Sequence, residues 1–213
     1  MFGVLLAVTC PVCRAPGRAP CLSCAARLRP APLLAPPPGV DACLALLAYE
    51  GAGRELVARL KYRNHRGVLP GLARAMVSLL TETPGAGAGL DVEFEFDVVT
   101  WVPTTPARRR QRGYDQAELL ARAVARHLCR PCPRLLSRRP GPPQTGLALA
   151  ERRQGPQVAA RRRADGRSVL LVDDVVTSGS TVRVSAQALR SAGARSVVVL
   201  AAARTPHPRA VLH

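Results

Sequence analysis

Short unbroken apolar runs alternate with amphipathic stretches along most of this chain. That is the pattern of strands buried on both faces, connected by helices that bury only one. Residues 44–49 read as the first such strand, and Gly51-Ala52-Gly53 as its break. A helix is predicted over 54–63, with Leu56, Val57 and Leu60 on one face. A second carries Leu69, Leu72, Ala73, Met76, Leu79 and Leu80 and ends before a Gly/Ala-rich turn at 84–89. Residues 97–103 form the next strand, stopped by Pro103, and Leu119, Leu120, Ala123, Val124 and Leu128 mark a helix over 115–128. A buried strand begins at Val169, a helix with Val182, Val184, Ala186, Leu189 and Ala192 follows, and Gly193 caps it. Residues 196–203 form a last buried strand. Strands in alternation with helices predict an α/β fold around a mostly parallel sheet.

The stretch that organises the chain is Val169-Leu170-Leu171-Val172-Asp173-Asp174-Val175-Val176-Thr177-Ser178-Gly179-Ser180-Thr181. It reads as buried strand, acidic strand end, small hydroxyl-rich loop and helix start. In an open α/β sheet ligands bind at that position. Thr177, Ser178, Gly179, Ser180 and Thr181 can present backbone N–H groups and hydroxyls to an anion of phosphate size. Asp173 and Asp174 would repel that phosphate, so they face another part of the ligand. A sugar with vicinal hydroxyls fits both halves, and Mg²⁺ suits the mixture of carboxylate and phosphate oxygens. The plain alternative is a strand ending in two solvated acids before a Ser/Thr cap.

Near the amino end, Cys10-Pro11-Val12-Cys13 and Cys21-Leu22-Ser23-Cys24 form two C-x-x-C knuckles. Cys10, Cys13, Cys21 and Cys24 together supply four thiolates for a tetrahedral, structural Zn²⁺ site. A disulfide pair is the competing reading, disfavoured in a reducing compartment. Residues 30–38 hold five prolines and read as a stiff linker. The predicted organisation is a zinc ribbon over 1–29, a linker over 30–42 and an α/β domain over 43–213. Cys129-Arg130-Pro131-Cys132 is a third C-x-x-C without a nearby partner pair, and with Cys43 it reads as structural or incidental.

Charge narrows the picture less than its size suggests. The formal net charge is +17, with 31 basic residues of which only Lys61 is a lysine. That skew is consistent with a GC-rich coding bias, and it permits polyanion binding without specifying it. Aromatic residues make up 3% of the chain, too few for a long base-stacking platform. More specific is the run Arg108-Arg109-Arg110-Gln111-Arg112, read as a basic loop at the end of a strand. There it would share the rim with the phosphate loop and could neutralise a pyrophosphate through bidentate hydrogen bonds. Residues 133–163 are rich in Pro, Gly and Arg, and read either as a mobile segment that closes over a substrate or as a solvated loop. No run reaches transmembrane length, and the short apolar start lacks a basic region or cleavage site, so a cytoplasmic location is expected.

Further strings occur in one order along the chain: Tyr49-Glu50-Gly51, Leu60-Lys61-Tyr62-Arg63, Val102-Pro103, Arg112-Gly113-Tyr114-Asp115-Gln116, and Gln144 with Leu147 and Arg152. With the knuckles and the acidic loop, this set resembles the ComF/GntX family, and the loop itself resembles the phosphoribosyl-pyrophosphate (PRPP) motif of type I phosphoribosyltransferases. The resemblance implies a type I phosphoribosyltransferase fold behind an N-terminal zinc ribbon. It puts Asp173 and Asp174 on ribose hydroxyls, residues 177–181 around a 5′-phosphate, and Mg²⁺ with PRPP. Arg108, Arg112 and Arg152 are the candidate catalytic residues. Natural competence, the handling of imported single-stranded DNA and, in some members, gluconate metabolism are the associated processes. The chain departs from the family in lacking a second pair of ribbon cysteines, Cys43 alone being a possible remnant. It also has Gly155 and Ala159 where an Asn and a Phe are usual.

Two functions follow as expectations. One is PRPP binding with Mg²⁺-dependent pentosyl transfer to an acceptor the sequence does not identify. The other is a non-catalytic competence factor that binds single-stranded DNA or a helicase and uses the PRPP-type site as sensor or scaffold.

Overall fold

The computed structural model describes residues 9–60, 67–82, 95–138 and 157–206, with a first short helix, α1 (Leu22–Ala25), in the cysteine segment. Its centre is a four-stranded sheet built from β1 (Ala42–Ala48), β2 (Val98–Trp101), β5 (Ser168–Val176) and β6 (Ser196–Arg204). The spatial order is β1-β6-β5-β2 and every pairing is parallel. β5 and β6 occupy the middle, which is why each carries a long apolar run, 169–172 in β5 and 197–203 in β6.

Alternation along β5 separates two cores. Leu170 and Val172 point into a layer with α2 (Gly51–Arg59), α3 (Leu69–Glu82) and α5 (Gln116–His127). Val169 and Leu171 point the other way, to α6 (Ser180–Ser191) and Leu136 of a small antiparallel hairpin. That hairpin joins β3 (Leu136–Arg138) to β4 (Val158–Ala160). Both outer strands are covered, which removes the exposed edges a sheet this small would otherwise present. Ala31 N–H donates to Leu46 and Ala48 N–H to Arg29 along β1. On the β2 side, Val99 N–H donates to Pro131, and the buried Thr100 hydroxyl donates to Pro133 while accepting from Leu135 N–H.

Gly51, Ala52 and Gly53 follow the end of β1 at Ala48, as expected of a strand break, and also form the first turn of α2, which therefore starts earlier than the 54–63 expected. Gly53 is required there because a Cβ would lie 2.4 Å from the Ala48 carbonyl oxygen. The basic run after β2 is a helix, α4 (Pro106–Arg112), and not a loop. Thr105 caps its start, Pro106 is pre-set for a helical first turn, and Gly113 ends it at φ 76°. The stretch read as a polar segment contains β3 and β4 at its ends, while Gln144, Leu147 and Arg152 lie outside the described residues, as do Lys61, Tyr62 and Arg63.

The proline-rich stretch is held along its length. The Arg204 guanidinium, itself buried, donates to the Leu34 and Ala35 carbonyls, and Pro37 packs beside Gly179. Asp41 then pairs with Arg190 near the far end of α6.

Candidate functional site

Because all four strands are parallel, their carboxyl ends share one rim, and the polar ends of β2 and β5 open there into a cavity of about 290 Å³. Asp173, Asp174, Thr177 and Thr181 line it from the β5–α6 side. Val102, Thr104, Arg108, Arg112, Asp115 and Gln116 line it from the side of β2, α4 and α5, and Arg138 reaches it from β3.

Asp173 is 7% exposed and Asp174 half-buried. Among the described residues neither carboxylate has an ion-pair partner. Each instead accepts a nearby backbone N–H: Asp174 N–H to Asp173 Oδ1 at 2.8 Å, and Val175 N–H to Asp174 Oδ1 at 2.9 Å. Burial first, and then the adjacent Asp174 charge, hold the Asp173 carboxyl well above the usual carboxylate range. Two crowded acids without a cation of their own are the donor set a hard divalent ion and a vicinal diol would satisfy. Mg²⁺ therefore fits this pair on chemical grounds.

Next to them, α6 begins at Gly179, which adopts φ 72° and receives no side-chain cap. α4 and α5 differ, for Thr105 and Asp115 cap them. The first-turn N–H groups of α6 have no intrahelical acceptors; Ser180 N–H donates to Ser178 Oγ at 3.5 Å, and the rest of this start is open to an anion, as is that of α2, where Glu50 makes no side-chain cap either. Ser178 and Ser180 are exposed and their hydroxyls lie 3.1 Å apart. A Cβ on Gly179 would meet Pro37 Cγ at 3.1 Å, so glycine is needed both for its backbone angle and for the close approach.

The opposite wall is cationic and firmly built. Asp115 Oδ2 accepts from Thr104 N–H and Oδ1 from Ala117 N–H, joining the end of β2 to the start of α5. Arg112 donates to Gln116 at 2.6 Å. Arg109 turns away to Glu118 at 3.5 Å, and Arg110 is exposed. Of the two candidate arginines among the described residues, Arg108 and Arg112, the cavity therefore takes both. Arg152 falls outside the described residues.

Sequence reasoning missed Arg138, Gln116 and Arg204. Arg138 was hidden in a stretch without periodicity. Gln116 was legible only as part of a motif. Arg204 is the one charge ending an otherwise apolar strand, a signal that was available.

At the other end of the described chain, the Sγ atoms of Cys10, Cys13, Cys21 and Cys24 all lie within 4.8 Å of one another. Cys13 and Cys21 are 3.7 Å apart, against about 3.8 Å for the edge of a tetrahedron with Zn–S bonds of about 2.3 Å. Burial pushes Cys24 up to about 12, and the neighbouring thiols add to it. For Cys10 burial also raises the value, but backbone N–H groups of Cys13, Cys21 and Val12 outweigh it and leave the thiol at about 6. Four thiols that cannot all ionise alone fit a metal that neutralises them. The cluster fits a structural zinc ribbon. No second cluster of this kind occurs among the described residues. Cys43 is half-buried in β1, and burial raises both its thiol and that of Cys132, the latter to about 11. Among the described residues no helix is long and apolar enough to cross a membrane.

A family model described as "Phosphoribosyl transferase domain" matches residues 115–211 and agrees with this architecture. The DNA utilization protein YhgH of Salmonella typhimurium is 30% identical over 200 residues, covering 92% of this chain and 84% of that protein. Its Escherichia coli counterpart matches to the same extent. Competence protein F of Haemophilus influenzae is 34% identical over 110 residues, 48% of each chain. Among solved structures, a glutamine PRPP amidotransferase from B. subtilis, complexed with ADP and GMP, aligns at a TM-score of 0.43 with 25% identity. That alignment covers 65% of this chain and only 27% of the amidotransferase.

Proposed function

We propose, because the chain belongs to the ComF/GntX family of phosphoribosyltransferase-like proteins, that its rim cavity binds PRPP with Mg²⁺ and supports pentosyl transfer. The single observation that carries this reading is the juxtaposition at the end of β5. A carboxylate pair without an ion-pair partner among the described residues there adjoins a helix start without a side-chain cap at Gly179, and a cationic wall faces both.

In this reading Asp173 and Asp174 accept the ribose hydroxyl hydrogens and fix the sugar. The backbone of residues 177–181 holds the 5′-phosphate, with the hydroxyls of Thr177 and Thr181 at the cavity wall. Mg²⁺, when bound, supplies charge neutralisation to the carboxylates and the pyrophosphate. Arg108 and Arg112 hold the pyrophosphate oxygens as the C1–O bond breaks and its electron pair leaves with pyrophosphate, while the acceptor's lone pair forms the new bond at C1. Positive charge preorganised where the leaving group develops negative charge is a large part of such catalysis. Zn²⁺ at the four cysteines is structural in this account, since no coordination position is left for a substrate.

The test is a calorimetric titration of PRPP, with and without Mg²⁺, into zinc-replete protein and into an Asp173→Asn/Asp174→Asn variant. Micromolar, Mg²⁺-dependent binding that disappears in the variant is expected. Equal binding in both proteins overturns the reading.

A second reading has its own observation. Arg134 and Arg138 both have lowered guanidinium values, through burial first and then through neighbouring arginines: Arg161 and Arg109 for Arg134, Arg108 for Arg138. Arg108, Arg112 and Arg138 at the cavity, together with Arg134 and Arg161 close to one another, form a cationic surface that suits a nucleic-acid backbone, and the relatives' names speak of DNA utilization and competence. As a non-catalytic competence factor, the protein would bind single-stranded DNA or a helicase through this face. Its signature is affinity that falls steeply with salt. Undetectable or salt-insensitive binding excludes it.

A further inference from the structure

We propose that Gln116 is a ligand-binding residue, its side-chain N–H directed at an oxygen of the pyrophosphate half of the bound molecule. The proposal rests on the phosphoribosyl reading of the cavity and adds a specificity-determining residue to it.

Gln116 is the first residue of α5 and 5% exposed, yet it lines the cavity. Its Oε1 accepts from Arg112 Nη1 at 2.6 Å. A guanidinium has donors only, so the amide has one sensible orientation, oxygen toward Arg112 and NH₂ away from it. That NH₂ nitrogen is buried and has no partner among the described residues. Its neighbour Asp115 is the opposite case, with each carboxylate oxygen matched to a backbone N–H. A buried donor left unmatched is destabilising, so its place in a cavity wall points to a ligand that completes it. The Arg112 contact also polarises the amide and strengthens its remaining N–H groups as donors.

The ligand group opposite must be an acceptor, and the surroundings make it anionic. Arg108, Arg112 and Arg138 share the cavity with Gln116. Gln116 belongs to the wall of β2, α4 and α5, whereas the carboxylates and the 177–181 loop belong to β5 and α6. The amide is thus assigned to what hangs from the sugar's C1, away from the 5′-phosphate. An amine at that position would meet three guanidiniums and a second donor, so the wall selects against it.

The test uses the full-length, zinc-replete chain and three probes: PRPP with Mg²⁺, pyrophosphate with Mg²⁺, and ribose 5-phosphate. Gln116→Met removes the donor with little change of volume, and Gln116→Glu retains a partner for Arg112 while presenting only acceptors. Relative to wild type, Gln116→Met is expected to weaken PRPP and pyrophosphate about tenfold or more, as for loss of one hydrogen bond to a charged group. Gln116→Glu weakens them further, and ribose 5-phosphate changes less than about twofold in both. Unchanged PRPP affinity in a folded Gln116→Met protein overturns the proposal. So does an equal loss of ribose 5-phosphate, or rescue of PRPP binding in Gln116→Glu. If wild type binds none of the three probes, the phosphoribosyl reading itself fails and this role with it. Wild-type binding with indifferent variants removes Gln116 alone.

Discussion

In the ribbon, four thiols converge within 4.8 Å around a segment too short and turn-rich to bury a core. At the rim, two adjacent carboxylates stand at the end of a strand whose preceding residues are fully buried. Both places crowd like-charged groups that make no ion pair among the described residues. They differ in what surrounds the charge. The ribbon's donors are soft, closed on themselves and supported by little else, so a metal there acts as part of the fold. The rim's donors are hard oxygens opening on a cavity, above two cores that hold without any ligand. Dependence on a bound group therefore means folding in one region and exchangeable binding in the other.

The largest expected effect breaks the comparison from the ribbon side. Structural zinc in isolated small modules contributes about 10 kcal/mol or more of folding energy. Chelation, or Cys10→Ser with Cys24→Ser, should unfold the ribbon and make the region before residue 30 protease-sensitive, while the stretch after it stays held by β1 and Arg204. The sheet should remain folded, because both cores are built almost entirely from residues beyond 40. Val12, Ala19 and Leu28 pack only at the margin of the first core. Metal analysis should give one zinc per chain in intact protein, and collapse of the whole domain on chelation would erase the distinction drawn here.

From the rim side, Asp173→Asn should lower Mg²⁺-dependent PRPP affinity by about a hundredfold, as for a charged hydrogen-bonding group removed from a buried site. The same change should raise the melting temperature of the ligand-free protein near neutral pH. A destabilised variant would show the carboxylate to be a structural partner, as a ribbon cysteine is.

The pH dependence sharpens the contrast. Since the Asp173 value is raised in the fold, the native state holds a proton that the unfolded chain has released. Its contribution to ligand-free stability is greatest below the ordinary aspartate value of about 4 and is lost as pH rises through the raised one. Binding runs the other way, because the ionised form is the one a cation and sugar hydroxyls need. PRPP affinity should therefore increase with pH over that window, accompanied by proton release measurable in buffers of different ionisation enthalpy. A flat profile would place the proton elsewhere.

A smaller effect is expected at Gly179. Its left-handed backbone and the nearby Pro37 imply a cost of about 1–2 kcal/mol for Gly179→Ala, with a few-fold loss of PRPP affinity. Loss of stability with unchanged affinity would separate the loop's shape from its binding.

These two regions were also unequally legible from the amino-acid order. The knuckles and the 173–181 stretch announce themselves because their donors are consecutive or nearly so, and local spacing carries the chemistry. The parallel sheet was readable from apolar runs such as 169–172 and 196–203. What could not be read was the wall facing the carboxylates. Arg138 reaches the cavity only because β3 pairs with β4, and Ser137 is paired to Ala159 across 22 positions of chain. Gln116 gains its meaning from Arg112 across the break between α4 and α5 and from its burial in the fold. The basic run was read as a loop because four arginines mask helical periodicity, while Thr105, Pro106 and Gly113 supply the start and stop signals. The linker's attachment depends on Arg204, distant in sequence by about 170 residues from the carbonyls it holds.

The most direct measurement is a crystal structure of the zinc-replete protein with PRPP and Mg²⁺. The account predicts the 5′-phosphate on the backbone of residues 177–181, the ribose hydroxyls on Asp173 and Asp174, and the pyrophosphate against Arg108, Arg112 and Gln116. A 5′-phosphate seated on the arginine wall, or a ligand that leaves both carboxylates untouched, would contradict it.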